Sequence, residues 1–383
     1  MPTIGLNAHL MALRPDYRGA GISHYIYQLL RHLPRADPDL SYTVFTGEGA
    51  GDLPGLTRFR TSLPTSRPVV RILWEQLLQP RAVRRAGVDL LHALAYVLPF
   101  WLTVPAVVTV YDLTFFQVPE RFRSTNRSYL RSLTRFSARR ARVVCAISES
   151  TRRDVVRWLG VPRNRVAVVY PGCDAHFTPP RAEEVAAFRA RRGLPERFVL
   201  YLGTLEPRKN VPALVRAYAE VVGYNGRSLP HHLILAGGKG WHYADIFAEV
   251  ERLGLRDRVH FPGFIPAEEQ PLWYAAAEAF AYPSLYEGFG LPVLEAMACG
   301  TPVITSTASS LPEVIGDAGL AVPADDEEAL AESLHRLLGD ASLRATLRER
   351  GLQQASRFSW LESARIQARI YRDVLENASR GDT

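Results

Sequence analysis

Pro283–Ser284–Leu285–Tyr286–Glu287–Gly288–Phe289–Gly290–Leu291–Pro292–Val293–Leu294–Glu295–Ala296–Met297–Ala298–Cys299–Gly300 follows the β-rich run Ala279–Tyr282 and reads as strand, glycine turn and helix in succession. Two carboxylates stand eight residues apart in it, Glu287 before the turn and Glu295 inside the helix. Glu295 lies just over one turn in, so at about 3.6 residues per turn it points to the same side as the helix start beside the loop. Gly288 and Gly290 leave backbone amides bare at the helix N-terminus, where negative charge is favoured. Carboxylates suit hydroxyl groups, so one hydroxyl-rich, anion-bearing ligand would satisfy the whole segment. An exposed loop glutamate plus a surface helical glutamate would explain neither the glycines nor the Ala-Met-Ala-Cys run packed behind them.

The same alternation runs outward in both directions. Before it come the strand candidates Phe198–Leu202, His232–Ala236 and Arg258–Phe261, and after it Pro302–Thr305 and Leu320–Val322. Further upstream are Thr3–Asn7, Tyr42–Phe45, Val88–His92, Ala106–Val110, Val143–Ile147 and Arg165–Val169, with helical patterns such as Ile22–Leu33 and Thr125–Ala141 between some of them. Strands alternating with helices predict parallel α/β layers. Tyr170–Asp174 and Phe177–Pro180 form a proline-rich break. The expected organisation is therefore two Rossmann-like domains, residues 1–178 and 179–359, with a last helix from about 360. Ligands of open α/β sheets bind beyond the strands' carboxyl ends, so two such domains would face a central cleft.

Composition fits this class. Of 383 residues, 47% are hydrophobic and 22% charged, which excludes a disordered or fibrous chain. Met1–Pro2–Thr3 leads straight into an apolar run with no signal-peptide pattern, and Tyr96–Val110 is broken by Pro99 and Pro105 and falls short of the roughly 20 residues of a bilayer span. Cys145, Cys173 and Cys299 suggest neither a disulfide frame nor a metal site. A cytoplasmic protein is the expectation, peripheral at most to the inner face of the cell membrane. Charge is uneven. Up to Pro180 the chain has 24 arginines, no lysine and 12 acidic residues, a net of +12. The remainder has 22 basic and 27 acidic residues, a net of −5. Such asymmetry signals a partner.

Two other segments carry candidate chemistry. Arg18–Gly19–Ala20–Gly21–Ile22–Ser23 follows the first strand and opens a helix; its glycines suit either a phosphate or a tight turn. Gly203–Thr204–Leu205–Glu206–Pro207–Arg208–Lys209–Asn210 follows the strand Phe198–Leu202. Basic residues normally favour helix C-termini. Arg208 and Lys209, one of only two lysines, at a helix start therefore point to a polyphosphate, with Arg as a fork and Lys as a point charge, against the alternative of a solvated basic corner.

These motifs together resemble the retaining glycosyltransferases of family 4, which have the two-domain GT-B fold. Glu287 and Glu295 match the group's E-x7-E pattern, and Pro207–Arg208–Lys209–Asn210 its pyrophosphate segment. Ala236–Gly237–Gly238–Lys239–Gly240–Trp241, Gly19–Ala20–Gly21–Ile22 and Phe358–Ser359–Trp360 match as well. The resemblance implies that Arg208 and Lys209 hold a donor diphosphate and that Glu295 binds its ribose. Glu287 and the amides of Phe289, Gly290 and Leu291 would address the transferred sugar and its phosphate. Lys239 and the loop Pro262–Gly263–Phe264–Ile265 would lie near the nucleotide and its base, Gly21 would assist from the first domain, and the last helix would cross back onto that domain. The chain is similar to bacterial mannosyltransferases, which implies GDP-mannose as donor, no metal, a glycan or lipid-linked acceptor, and a front-face mechanism with retention. Two other classes compete: nucleotide-sugar epimerases of the same fold, and a non-catalytic glycan- or lipid-binding relative.

The sequence departs from that pattern at Val110–Tyr111–Asp112–Leu113, where Tyr111 stands in place of the family's histidine. Asp112 is expected at the sugar or acceptor, unless it caps a helix. Tyr111 and His92 are weaker acceptor candidates, and for His92 a satisfied structural histidine is the favoured reading. Asp37–Pro38–Asp39 reads as a turn, and His231, His232 and His242 lack ligand spacing. Arg123, Arg127, Arg131, Arg135 and Arg139 recur every fourth residue and form one helical stripe. An anionic lipid surface, a lipid-diphosphate acceptor or a polyanionic saccharide would each suit it; with Phe100–Trp101–Leu102 nearby, contact with an anionic membrane is the expectation, against a merely solvated basic face. No nucleic-acid module is present.

Overall fold

The computed structural model describes residues 1–11, 21–47, 53–117, 124–224 and 229–381, the side chains of 124–129 and 224 excepted. The chain forms two compact units. One comprises Met1–Gly172 together with the chain from Ser359 onward, and the other Cys173–Phe358.

The first unit is built on a parallel sheet of β1 (Thr3–Asn7), β2 (Ser41–Thr46), β3 (Thr57–Arg60), β4 (Leu90–Ala93), β5 (Ala106–Val110), β6 (Val143–Ala146) and β7 (Val166–Val168). Their spatial order is β3-β2-β1-β4-β5-β6-β7. The second unit holds β8 (Phe198–Leu202), β9 (His232–Ala236), β10 (Val259–Gly263), β11 (Ala279–Tyr282), β12 (Val303–Ser306) and β13 (Gly319–Val322), ordered β10-β9-β8-β11-β12-β13 and again parallel. Central strands such as Ala106–Val110 and Phe198–Leu202 are buried along their whole length. That burial is why they read as continuous apolar runs rather than alternating ones. In each sheet the first strand lies between its second and fourth, the Rossmann order. The switch points, β1 beside β4 and β8 beside β11, are where such sheets bind ligands.

Strand β3, Thr-Arg-Phe-Arg at a sheet edge, is missing from the sequence expectation because its half-exposed residues carry no apolar run. The unit boundary also falls earlier than the expected 178. The break that reads as a linker belongs to the second unit, because Phe177 packs edge-on against Tyr274 and the Cys173 N–H donates to the Phe358 carbonyl at 3.0 Å.

The last helix, Trp360–Ser379, lies along the helix Ile22–Ala36 of the first unit. Trp360 meets Tyr25 edge-on at 5.4 Å, and Arg372 forms a fork with Asp37 at 2.5 and 2.7 Å. Asp37 also accepts the Asp39 N–H, so Asp37–Pro38–Asp39 is a turn. Gly172 marks the chain's exit from this unit, and a Cβ there would lie 2.1 Å from the Trp360 backbone nitrogen. Gly172→Ala therefore forces backbone apart, and overpacking of this kind costs about 1–3 kcal/mol. The expected outcome is a lower thermal unfolding midpoint; an unchanged midpoint would refute the packing argument.

Candidate active site

At the switch point of the second sheet the loops leaving β8 and β11 are stitched together. A single 3-10 turn, Pro207–Lys209, ends at Asn210, whose left-handed φ of 56° redirects the chain into the helix Val211–Ala219. The Leu285 N–H donates to the Arg208 carbonyl at 2.8 Å. Glycine is required on the flanking loop from β9: a Cβ at Gly237 would lie 1.9 Å from the Gly203 carbonyl oxygen. The stitching fixes which side chains meet.

Lys209 and Glu287, 7% and 8% exposed, form a buried ion pair with Nζ 2.6 Å from Oε1. Arg208 lies 2.9 Å from the other carboxylate oxygen and also holds the Tyr286 carbonyl and the Glu206 carboxylate. Ser284 donates to Glu287 Oε1 at 2.6 Å, and the Glu287 N–H donates to Ser309. Lys209 Nζ also bonds the Tyr282 hydroxyl while sitting 4.8 Å from that ring's centroid. Burial by itself would raise the Glu287 pKa, but Lys209 and Arg208 hold it down, to about 2. Burial pulls Lys209 down, and Glu287 partly offsets that. The carboxylate thus stays ionised with two cations converging on it.

The other second-unit candidates lie on the loops after β9, β10 and β11 and on the helix that follows β11. Gly290 takes φ 116° at the head of the helix Leu291–Ala298, and a Cβ there would meet Leu311 at 2.8 Å. Phe289 is buried before it. Glu295 accepts the Tyr274 hydroxyl at 2.9 Å. Lys239 is exposed and rests over the Tyr243 and Phe247 rings at 5.1 and 5.6 Å. Phe264, after β10, is exposed. Sequence reasoning missed Tyr282, Ser284 and Ser309, which look like an ordinary strand end and ordinary loop residues.

The first unit brings corrections. His92 is fully buried, with Nδ1 2.7 Å from the Tyr371 hydroxyl and Nε2 2.8 Å from Thr109 Oγ1. Burial pushes its pKa down to about 3. Tyr111 is buried, donates to the Leu94 carbonyl at 2.7 Å and packs on Tyr25 and Tyr96. Neither has a polar atom left for an acceptor; both are core residues. Asp112 Oδ1 accepts the Thr114 N–H at 3.0 Å, the bond of a turn that leads into the helix Thr114–Gln117, whose first carbonyl acceptor is Leu113. Gly21, with φ 60°, precedes the helix Ile22–Ala36; Arg18, Gly19 and Ala20 lie outside the described residues. Among the described residues no three His, Cys, Asp or Glu side chains are grouped to hold a metal, and no helix is long and apolar enough to cross a membrane.

Removing one partner of a buried ion pair costs about 3–5 kcal/mol, whereas replacing both costs far less. Glu287→Ala should therefore destabilise the chain strongly, and adding Lys209→Met should restore part of the loss. Additive losses in thermal or urea unfolding would contradict the pairing. His92 titrates in the opposite sense to a salt-bridged histidine. Its folded pKa lies below the unfolded value near 6.5, so it contributes stability above pH 6.5 that is lost as the pH falls towards 3. The fall in melting temperature between pH 7.5 and 5 should be smaller in His92→Gln than in the parent chain.

Comparison with known proteins agrees with this geometry. Residues 183–354 match the family described as glycosyl transferases group 1, and residues 19–177 match Glycosyltransferase Family 4. The chain is 36% identical over 290 residues to the O-antigen chain mannosyltransferase B of Escherichia coli, covering 74% of this chain and 75% of that protein. It is 30% identical to a D-inositol 3-phosphate glycosyltransferase of Salinispora arenicola, over 93% of this chain and 88% of the other. Among solved structures, the sucrose-phosphate synthase of Thermosynechococcus elongatus superposes with a TM-score of 0.79 at 25% identity, over 98% of this chain and all of that one. Two Rossmann-like units, a cation pair set on a buried glutamate at the switch point of the second, and relatives matching across both units make the chain a group 1 glycosyltransferase of family 4 with the two-domain GT-B fold.

Proposed function

We propose that this glycosyltransferase moves mannose from GDP-mannose to a glycan or lipid-linked acceptor with retention of anomeric configuration. The sugar is taken from the name of the Escherichia coli relative. The observation that carries the donor site is the convergence of Arg208 and Lys209 on one carboxylate at the β8/β11 switch point. Two cations held there in a buried setting suit a diphosphate, which would share them with Glu287.

In a front-face step the bond from the anomeric carbon to the phosphate oxygen breaks as the bond to the acceptor oxygen forms on the same side. The acceptor's proton passes to the departing phosphate. Arg208 and Lys209, with the amides of Gly290 and Leu291 at the helix start, stabilise the charge that develops on the diphosphate, an electrostatic effect of the oxyanion-hole kind. In this reading no metal is needed, because those two side chains supply the positive charge. Glu295 takes the ribose, Lys239 and Phe264 lie towards the base, and Asp112 reaches the sugar or acceptor. The arginine-rich first unit works against the anionic inner face of a membrane from the cytoplasmic side.

The test is thermal shift or calorimetry with GDP-, UDP-, ADP- and dTDP-sugars, each with and without EDTA. A ligand at 100 times its Kd stabilises by about 2.7 kcal/mol. GDP-mannose should stabilise selectively, EDTA should change nothing, and Arg208→Ala and Arg208→Ala/Lys209→Ala should both lose the effect. Selective stabilisation by a UDP-sugar would replace the donor, and no stabilisation by any nucleotide sugar would overturn the assignment.

A further inference from the structure

The arginine stripe of the helix Ser124–Arg140 opens onto a groove of about 830 Å3 on the first unit. Four of its lining residues are Arg131, Arg135, Arg139 and Arg140, and three are the aromatic residues Phe116, Phe136 and Trp158. Arg123 and the Arg127 side chain lie outside the described residues. The four guanidinium groups are tied to backbone carbonyls: Arg131 to Phe115 and Phe116, Arg135 to Trp158, Arg139 to Leu159 and Arg140 to Leu102. Arg131 and Arg135 also lie over the Phe116 ring, at 5.0 and 5.7 Å.

These bonds fix four positive charges in place, so they do not spread into solvent. No guanidinium uses more than two of its five N–H groups on those carbonyls. The helix contains no acidic residue, and among the described residues none of the four arginines has a carboxylate partner. The Trp158 indole N–H is buried without an acceptor among them. Fixed, unneutralised guanidinium groups walled by aromatic rings suit a phosphate, which takes forked hydrogen bonds.

An apolar ridge runs beside the groove. Phe136 packs on Phe100 at 4.8 Å, and the neighbouring Trp101 is 71% exposed. Gln76 holds this loop by donating to the Leu98 carbonyl and accepting the Phe100 N–H. Val69, Leu73 and Leu77, spaced by four, are exposed on the helical segment that carries Gln76.

We propose that the groove is a second phosphate site, separate from Arg208 and Lys209, and that it takes the phosphate head of an amphiphile whose apolar part lies along Trp101 and the Leu73–Leu77 ridge. This rests on the membrane-facing part of the reading above and names the residues and chemistry that carry it. The same phosphate chemistry also occurs in soluble ligands, so the experiment has two arms. In the first, the full chain is co-sedimented with phosphatidylcholine vesicles, with and without phosphatidylglycerol. In the second, inorganic pyrophosphate is titrated calorimetrically into Arg208→Ala protein, in which the donor site is weakened.

Anionic vesicles should retain the parent chain, and Arg135→Glu/Arg139→Glu should lower the bound fraction at least tenfold. Arg135→Lys/Arg139→Lys should keep part of the binding, which separates lost charge from lost folding. Trp101→Ala should weaken the vesicle arm only. Pyrophosphate binding that is lost on charge reversal, without any vesicle binding, would overturn the lipid source. Charge reversal that leaves both arms unchanged would overturn the groove itself. A blank donor screen beside a positive groove would sink the donor reading and leave the groove standing.

Discussion

The second unit is organised around one electrostatic constraint. A carboxylate and an ammonium removed from water must be paired and hydrogen-bonded, or the fold bears a penalty of several kcal/mol per ion. Glu287 and Lys209 come from loops that follow different strands, so meeting that condition fixes two loops at once. The Arg208 carbonyl bonded by the Leu285 N–H, Ser284, Ser309 and the Tyr282 hydroxyl all serve the same geometry. The glycines at 237 and 290 then follow from the close approach of backbone and side chains around it. The result is a preorganised pair of cations whose present partners are the protein's own carboxylates, Glu287 and Glu206.

Much of this was legible in the sequence because parallel sheets bury their strands on both faces. Continuous runs such as Phe198–Leu202 and Ala106–Val110 leave no other reading, and the strand-to-helix turns carry the motifs. Arg208, Lys209 and Glu287 stood out because basic residues at a helix start and a carboxylate before paired glycines contradict local preference unless something needs them there. What stayed hidden depended on partners far away in the chain. Tyr282 looks like the end of a buried strand, and nothing in its neighbourhood announces that its hydroxyl meets Lys209, 73 residues earlier.

His92 and Tyr111 show the same limit from the other side. They end or follow strands, where chemistry is expected, yet their polar atoms are satisfied by Tyr371, Thr109 and Leu94. Tyr371 lies on the last helix, 279 residues from His92. A polar residue at a strand end can face a ligand or a distant helix, and spacing along the chain does not distinguish the two. The arginine stripe was legible as a stripe. That its guanidinium groups are pinned by carbonyls of neighbouring segments was not.

The second unit is inserted between the main part of the first and the helix that completes it, and its two ends meet at the hydrogen bond between Cys173 and Phe358. Synthesis runs from the N-terminus, and domains fold as they emerge. The unit that begins the chain therefore waits for residues 359–379 before Tyr25 can pack on Trp360, His92 can reach Tyr371 and Asp37 can reach Arg372. The inserted unit has all of its strands available earlier. On the ribosome the inserted unit is thus the earlier of the two able to mature, and the unit that flanks it is sealed last.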